Sequence, residues 1–304
     1  MSRKAGATTK DFEPYWQDTL DELASRPARP EVSLVPIRCT DFADLYGVHL
    51  TGLGSYRLFA YLSIPRGEGP FPAIYYTAKY GSVHEAIPQG APNLKRGRYM
   101  VLSISARGLR NADRPYAAMF PGLLTEGIDS PGTYIFRKIA ADCVRGLEFL
   151  LERPELDPSR LVIVGNDLAL ITGALKSGAT QVVCSPALFC DTLKRASKTD
   201  AYPLEEINDY LRSRPKRADA VAESLSYLDL MRFAPSVDVP TLIMADALGA
   251  VMDRIALGPL AAALGEGHTL HESENSSYKD GMFTERWIAD QHGFAKPILP
   301  EAWQ

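Results

Sequence analysis

The chain has few cysteines, no long apolar run and no surplus of positive charge, and each lack removes a class of protein. Its four cysteines, Cys39, Cys143, Cys184 and Cys190, form neither a CxxC pair nor a metal-ligand rhythm. That argues against a disulfide scaffold and predicts reduced, mostly buried thiols in a cytoplasmic protein. Apolar runs such as 161–164 and 260–264 stop at Gly165 and Gly265, far short of the ~20 residues that a membrane helix needs. The basic start Met1-Ser2-Arg3-Lys4 leads into polar residues, so no secretory signal is expected. With 33 Lys+Arg against 37 Asp+Glu and no basic block, neither nucleic acid nor an anionic membrane is an expected partner. No glycine-rich phosphate loop, nucleotide fingerprint or metal cluster occurs, and no cofactor is expected.

What is present suits a globular protein: 304 residues, 46% of them hydrophobic and 23% charged. An amphipathic start at 12–23 puts Phe12, Trp16, Leu20 and Leu23 on one helical face and ends at Arg26-Pro27. Runs at 32–39, 57–64, 73–77, 99–104, 161–164, 181–184, 241–245 and 269–272 read as strands. Between the later ones, 134–153, 168–176, 253–264 and 281–292 carry helical periodicity. The alternation predicts an α/β fold whose mostly parallel central sheet is covered by helices on both faces, with ligand chemistry at the carboxyl ends of the strands. Residues 1–30 read as an N-terminal extension with its helix, 31–293 as a single domain and 294–304 as a tail. Two insertions interrupt the domain, a Gly/Pro-rich one at 107–132 and a helical, charged one at 192–232, each suited to capping a site or to an oligomer contact.

The most informative stretch is Asp157-Pro158-Ser159-Arg160-Leu161-Val162-Ile163-Val164-Gly165-Asn166-Asp167-Leu168-Ala169. An apolar strand ends at Gly165 and a helix begins within two or three residues. This is the setting of a nucleophile elbow, where G-x-S-x-G lifts a serine to the top of a sheet. Here Asp167 stands in the serine's place and Ala169 supplies the second small residue. An ordinary helix-capping aspartate has the same pattern, and the residues alone leave both readings open.

Further stretches resemble the acetyl xylan esterase/cephalosporin C deacetylase family of α/β-hydrolases across nearly the whole chain. They are 12–20, 54–65 with Gly69-Pro70-Phe71-Pro72-Ala73, Ala106-Arg107-Gly108, Tyr134-Ile135-Phe136-Arg137-Lys138 leading to Asp142 and Arg145, Asp157-Pro158-Ser159-Arg160, 202–211, 225–229 and Val239-Pro240-Thr241-Leu242. The resemblance implies an α/β-hydrolase fold with an N-terminal helical extension and a helical insertion. It also implies a Ser-His-Asp triad whose positions fall on Asp167, Tyr278 and Gly249, so that all three members are replaced. By the same resemblance the oxyanion-hole amides belong to Lys79 and Leu168, and the family's ring-like assemblies imply a homo-oligomer.

Serine-type acyl transfer needs a hydroxyl nucleophile, an imidazole in reach and a carboxylate to orient it. None stands at the matching places, and the expected function is an inactive esterase relative that binds a carbohydrate- or ester-like small molecule, or a partner. The alternative is a repurposed enzyme, a lyase, dehydratase or isomerase, with Asp167 as general base and Tyr278 or Lys79 as acid. A covalent Asp167 nucleophile is similar to that of haloalkane dehalogenases and epoxide hydrolases, but those need a histidine to release the ester. His84, His271, Asp246 and Asp253 are weaker substitutes for the missing triad members. Tyr80, His84, Tyr116, Phe120 and Phe189 are candidate pocket residues, and no metal site is expected.

Overall fold

Long β-branched and aromatic runs pair into one sheet in the computed structural model, which describes residues 9–79, 94–108 and 114–299. The strands are β1 (Glu31–Leu34), β2 (Ala43–Thr51), β3 (Arg57–Pro65), β4 (Phe71–Tyr76), β5 (Met100–Ile104), β6 (Leu156–Gly165), β7 (Gln181–Cys184), β8 (Thr241–Ala245) and β9 (His268–Glu272). Their spatial order is β1-β2-β3-β5-β4-β6-β7-β8-β9. The β1/β2, β2/β3 and β3/β5 pairs are antiparallel, and every neighbouring pair from β5 to β9 is parallel. A parallel strand is buried on both faces, which is why Ile74 and Tyr75 in β4 and Val162 and Ile163 in β6 are consecutive and fully buried.

The helices are α1 (Thr9–Ala24), α2 (Lys95–Arg98), α3 (Ile135–Leu151), α4 (Asp167–Leu175), α5 (Thr192–Ala196), α6 (Leu204–Ser213), α7 (Ala218–Ser226), α8 (Leu230–Phe233), α9 (Arg254–Ala263) and α10 (Ser277–Gln291). On one face of the sheet a continuous core joins Trp16 of α1, Ile139 and Leu147 of α3, Leu170 of α4, Leu230 of α8 and Leu257 of α9 to Tyr75, Leu102, Ile163 and Ile243. On the other, Trp287 and Ile288 of α10 pack on Leu45, Ile74, Val101, Val162, Val183 and Leu242. Helices on both faces of a mostly parallel sheet agree with the reading of the sequence.

Four elements depart most from expectation. The run at 32–39 yields only the four residues of β1 and a 3₁₀ turn, Pro36–Arg38, because proline removes a ladder donor there. Strand β2 departs from expectation: Gly47 interrupts its apolar pattern, and pairing with β3 along its whole length makes it a strand. Strand β6 begins at Leu156, upstream of its apolar run. Helix α10 begins at Ser277, where the Ser276 hydroxyl accepts from Lys279 N–H and caps it.

Helix α1 is fastened by more than its apolar face. Trp16 Nε1 donates to Tyr227 O at 2.9 Å, Arg145 donates to Leu23 O and Arg26 O, each at 2.7 Å, and Arg137 pairs with Glu22 at 3.2 Å. The helix therefore bridges α3 and the end of the helical insertion.

Candidate functional site

Strand β6 ends at Gly165, Asn166 is extended, and α4 begins at Asp167. The residue types explain the tightness of this turn. A Cβ on Gly165 would lie 2.1 Å from Thr77 Oγ1, just past the end of β4, so only glycine lets the two strand ends close up. Thr77 N–H donates to Val164 O at 3.1 Å across that approach, and Asn166 Nδ2 donates to Ser185 O at 3.0 Å on the other side. The strand-turn-helix setting expected for an elbow is present.

The Asp167 side chain does not stand above this turn. It is fully buried, and both carboxylate oxygens accept backbone N–H groups from the loop after β7. Ala187 N lies 3.1 Å from Oδ2, Leu188 N 3.2 Å from Oδ1 and 3.1 Å from Oδ2, and Phe189 N 2.7 Å from Oδ1. Burial pushes this carboxyl above its ordinary value, and the amides of Phe189, Asp167, Ala187 and Leu188 pull the other way. The arrangement is a nest of backbone donors around one anion.

Lys79 lies three residues past β4, half-buried and beside the elbow in strand order. Leu168 is fully buried in the first turn of α4. Tyr278 is 42% exposed in the first turn of α10. It follows β9, which stands three strands from β6 in the sheet. Strand order thus places Lys79, just past the end of β4, next to the elbow at the end of β6.

The pocket candidates also separate. Phe189 is fully buried with its ring edge-on to Phe136 at 4.9 Å, which makes it a core residue and not a lining one. Phe120 is exposed on the first insertion. Tyr116 sits where its ring covers Gly108, leaving no room for a Cβ there, and burial pushes its hydroxyl up to about 12. Tyr80 and His84 lie outside the described residues.

Gly249 has a left-handed φ of 88°, and its N–H donates to Asp253 Oδ2 at 2.9 Å. Asp253 Oδ1 accepts from Ala256 N–H at 2.8 Å, so this carboxylate caps α9. The amides of Ala256 and Gly249 hold it below its usual range.

Two polar groupings went unread in the sequence. Arg107 pairs with Asp142 on α3, and both side chains are buried. Leu53 N–H donates to Asp142 Oδ1 at 3.3 Å, and the guanidinium lies over the Tyr56 ring at 4.8 Å. Asp142 interrupts the apolar face of an otherwise amphipathic helix, and that is the signal that could have revealed it.

Near the end of β9, Asp280 accepts from Ser273 Oγ at 2.6 Å and from Glu274 N–H at 3.2 Å, and meets His271 Nε2 at 3.1 Å. His271 stacks on Phe283 at 4.0 Å. This serine bonds the carboxylate and not the imidazole, so the three groups build the β9–α10 turn and form no relay.

Among the described residues no group of three or more His, Cys, Asp or Glu is placed to hold a metal ion, and no helix is long and apolar enough to cross a membrane. The Asp167 carboxyl at the elbow is buried and hydrogen-bonded to the loop after β7.

Comparison with known proteins bears on this geometry. Residues 2–259 match the family model described as acetyl xylan esterase. The acetyl esterase Axe7A of Xylanibacter ruminicola is 22% identical over 247 residues, covering 77% of this chain and 55% of that protein. The chain therefore spans about half the length of this curated relative. The solved acetyl xylan esterase from Paenibacillus sp. R4 superposes with a TM-score of 0.81 at 22% identity, over 95% of this chain and 96% of the other. Acetyl xylan esterase 1 from Thermoanaerobacterium sp. JW/SL YS485 gives a TM-score of 0.81 at 21% identity, with the same coverage. The fold is that of the α/β-hydrolases.

Proposed function

The chain belongs to the acetyl xylan esterase family, and from that premise we propose that it is a member without ester hydrolysis, one that uses the scaffold to bind a small ester- or carbohydrate-like ligand or a partner. The observation that carries this reading is the Asp167 carboxylate, fully buried at the elbow with both oxygens held by the amides of Ala187, Leu188 and Phe189. A nucleophile or general base has to reach the reacting atom. Here a substrate would have to displace three backbone donors and open the core to reach the side chain. Gly249 and Tyr278, at the positions where the resemblance expects an acid and an imidazole, supply neither group.

The same geometry weighs against Asp167 as the base of a lyase, dehydratase or isomerase, and against a covalent ester on it. Four free thiols support a reducing, cytoplasmic setting.

The test is turnover of p-nitrophenyl acetate and acetylated xylo-oligosaccharides by the full chain, with intact-mass measurement after incubation. The expected result is no hydrolysis above the blank and no adduct. Turnover that Asp167→Ala abolishes, or a mass increment on Asp167, overturns the reading.

A further inference from the structure

Away from the elbow, the helical insertion holds an open cavity of about 720 Å³ between α5 and α6. Asn208 of α6 fixes its shape. Its Nδ2 donates to Ala196 O and Thr199 O, each at 2.9 Å, and to Glu205 Oε2 at 2.8 Å. One amide group thereby joins the end of α5, the loop that follows it and α6. All three partners can only accept, so the amide must turn its nitrogen to them. Its Oδ1 is left with no donor among the described residues. Glu205 is bonded in turn to Arg212, which also pairs with Asp209 at 2.6 Å. This wall of the cavity is built and its charge compensated without a ligand.

The loop at 197–200 brings groups to the cavity that the fold does not use. Lys198 and Asp200 line it and are exposed, and neither side chain has a hydrogen-bond or ion-pair partner among the described residues. Thr199 Oγ1 accepts from Ala201 N–H at 3.1 Å, which leaves its hydroxyl hydrogen to donate. Lys198 and Thr199 thus offer donors, and Asp200 and Asn208 offer acceptors. The charges on the lining balance, Lys198 and Arg212 against Asp200 and Glu205, so an ion of either sign gains no overall attraction there. A hydroxyl both donates and accepts, and suits such a mixed lining. Ala196 and Leu211 add apolar surface for the C–H groups of a ring. The volume falls within the ~300–1,000 Å³ typical of small-molecule sites.

We propose that this cavity is a binding site for a short neutral saccharide, separate from the elbow. Ring hydroxyls accept from Lys198 and Thr199 and donate to Asp200 and to Asn208 Oδ1. The cavity is open to water, which competes for each of these bonds, and the dissociation constant is on the order of 1 mM. The inference stands whether or not the elbow hydrolyses esters.

The experiment titrates the full chain with xylobiose, cellobiose and maltose by saturation-transfer difference NMR, with glucuronate and glucosamine as charged controls. Hydrogen exchange read by mass spectrometry locates the contact. At least one neutral disaccharide is expected to bind more tightly than either charged sugar, with protection confined to peptides across 194–213. Lys198→Ala and Asp200→Ala change exposed side chains that hold nothing in the fold, and each should weaken binding about fivefold. No binding of any neutral disaccharide, tighter binding of a charged sugar, or unchanged affinity in the double variant overturns the proposal. Protection at 164–169 and 187–189 instead also overturns it, by assigning the sugar to the elbow, and leaves the reading of the elbow untouched.

Discussion

Asp167 is held by its surroundings more firmly than a surface carboxylate is held by a cation, because three backbone amides of one loop converge on its two oxygens. Removing it leaves those buried donors unpaired, at a cost on the order of 3 kcal/mol. Asp167→Ala should lower the thermal unfolding midpoint, and Asp167→Asn, which keeps one accepting oxygen, should lower it less. Calorimetry of the two variants checks the order. At this scale the sequence was only half readable. The elbow was visible at Gly165 and Asp167, since a strand, a glycine and a helix start adjoin there. The partners of Asp167 were not, because they lie about twenty residues further on and contribute backbone amides, which every residue type possesses.

At the scale of elements, α1 clamps structures far apart in sequence. Trp16 is 3% exposed, lies edge-on to Phe233 at 5.5 Å and donates to Tyr227 O, while Arg145 on α3 holds the carbonyls at the helix's other end. Trp16→Ala should cost about 3–5 kcal/mol, counting the lost packing and the orphaned carbonyl. Urea unfolding followed by far-ultraviolet circular dichroism measures it. The apolar face of α1 was legible from Phe12, Trp16, Leu20 and Leu23, and the parallel strands were legible because burial on both faces leaves unbroken apolar runs such as Leu161-Val162-Ile163-Val164. Strand β2 was not, since Asp44, Tyr46, Gly47 and His49 dilute its pattern and only pairing with β3 makes it a strand. The His271–Asp280 contact escaped because it joins a strand to the following helix across a turn whose shape the spacing does not specify.

For the molecule as a whole, resistance to acid rests in part on one buried side chain packed against the sheet. His292 is buried next to Tyr99 and Phe294, with Nε2 2.9 Å from Gln181 Oε1. Burial and the Arg160 guanidinium lower its pKa from 6.5 to about 4. The unfolded chain therefore takes up this proton before the folded one. The stability at stake is whole above about pH 6.5 and drains away as the pH falls toward about 4. The unfolding midpoint of the parent chain should drop more steeply across that window than that of His292→Gln. Equal slopes in thermal melts at pH 7 and pH 4.5 would remove His292 from the account.

The nest around Asp167 bears, finally, on ancestry and on the direction of change. On the reading that this chain has left hydrolysis behind, a lone mutation to serine at 167 restores a hydroxyl but strands the amides of Ala187, Leu188 and Phe189, since one oxygen on a shorter side chain cannot satisfy all three. The loop after β7 would have to be rebuilt first, and until then the intermediate sequence is penalised for folding and not rewarded for activity. On that reading the carboxylate would work as a ratchet, closing the short road by which the chain could go back.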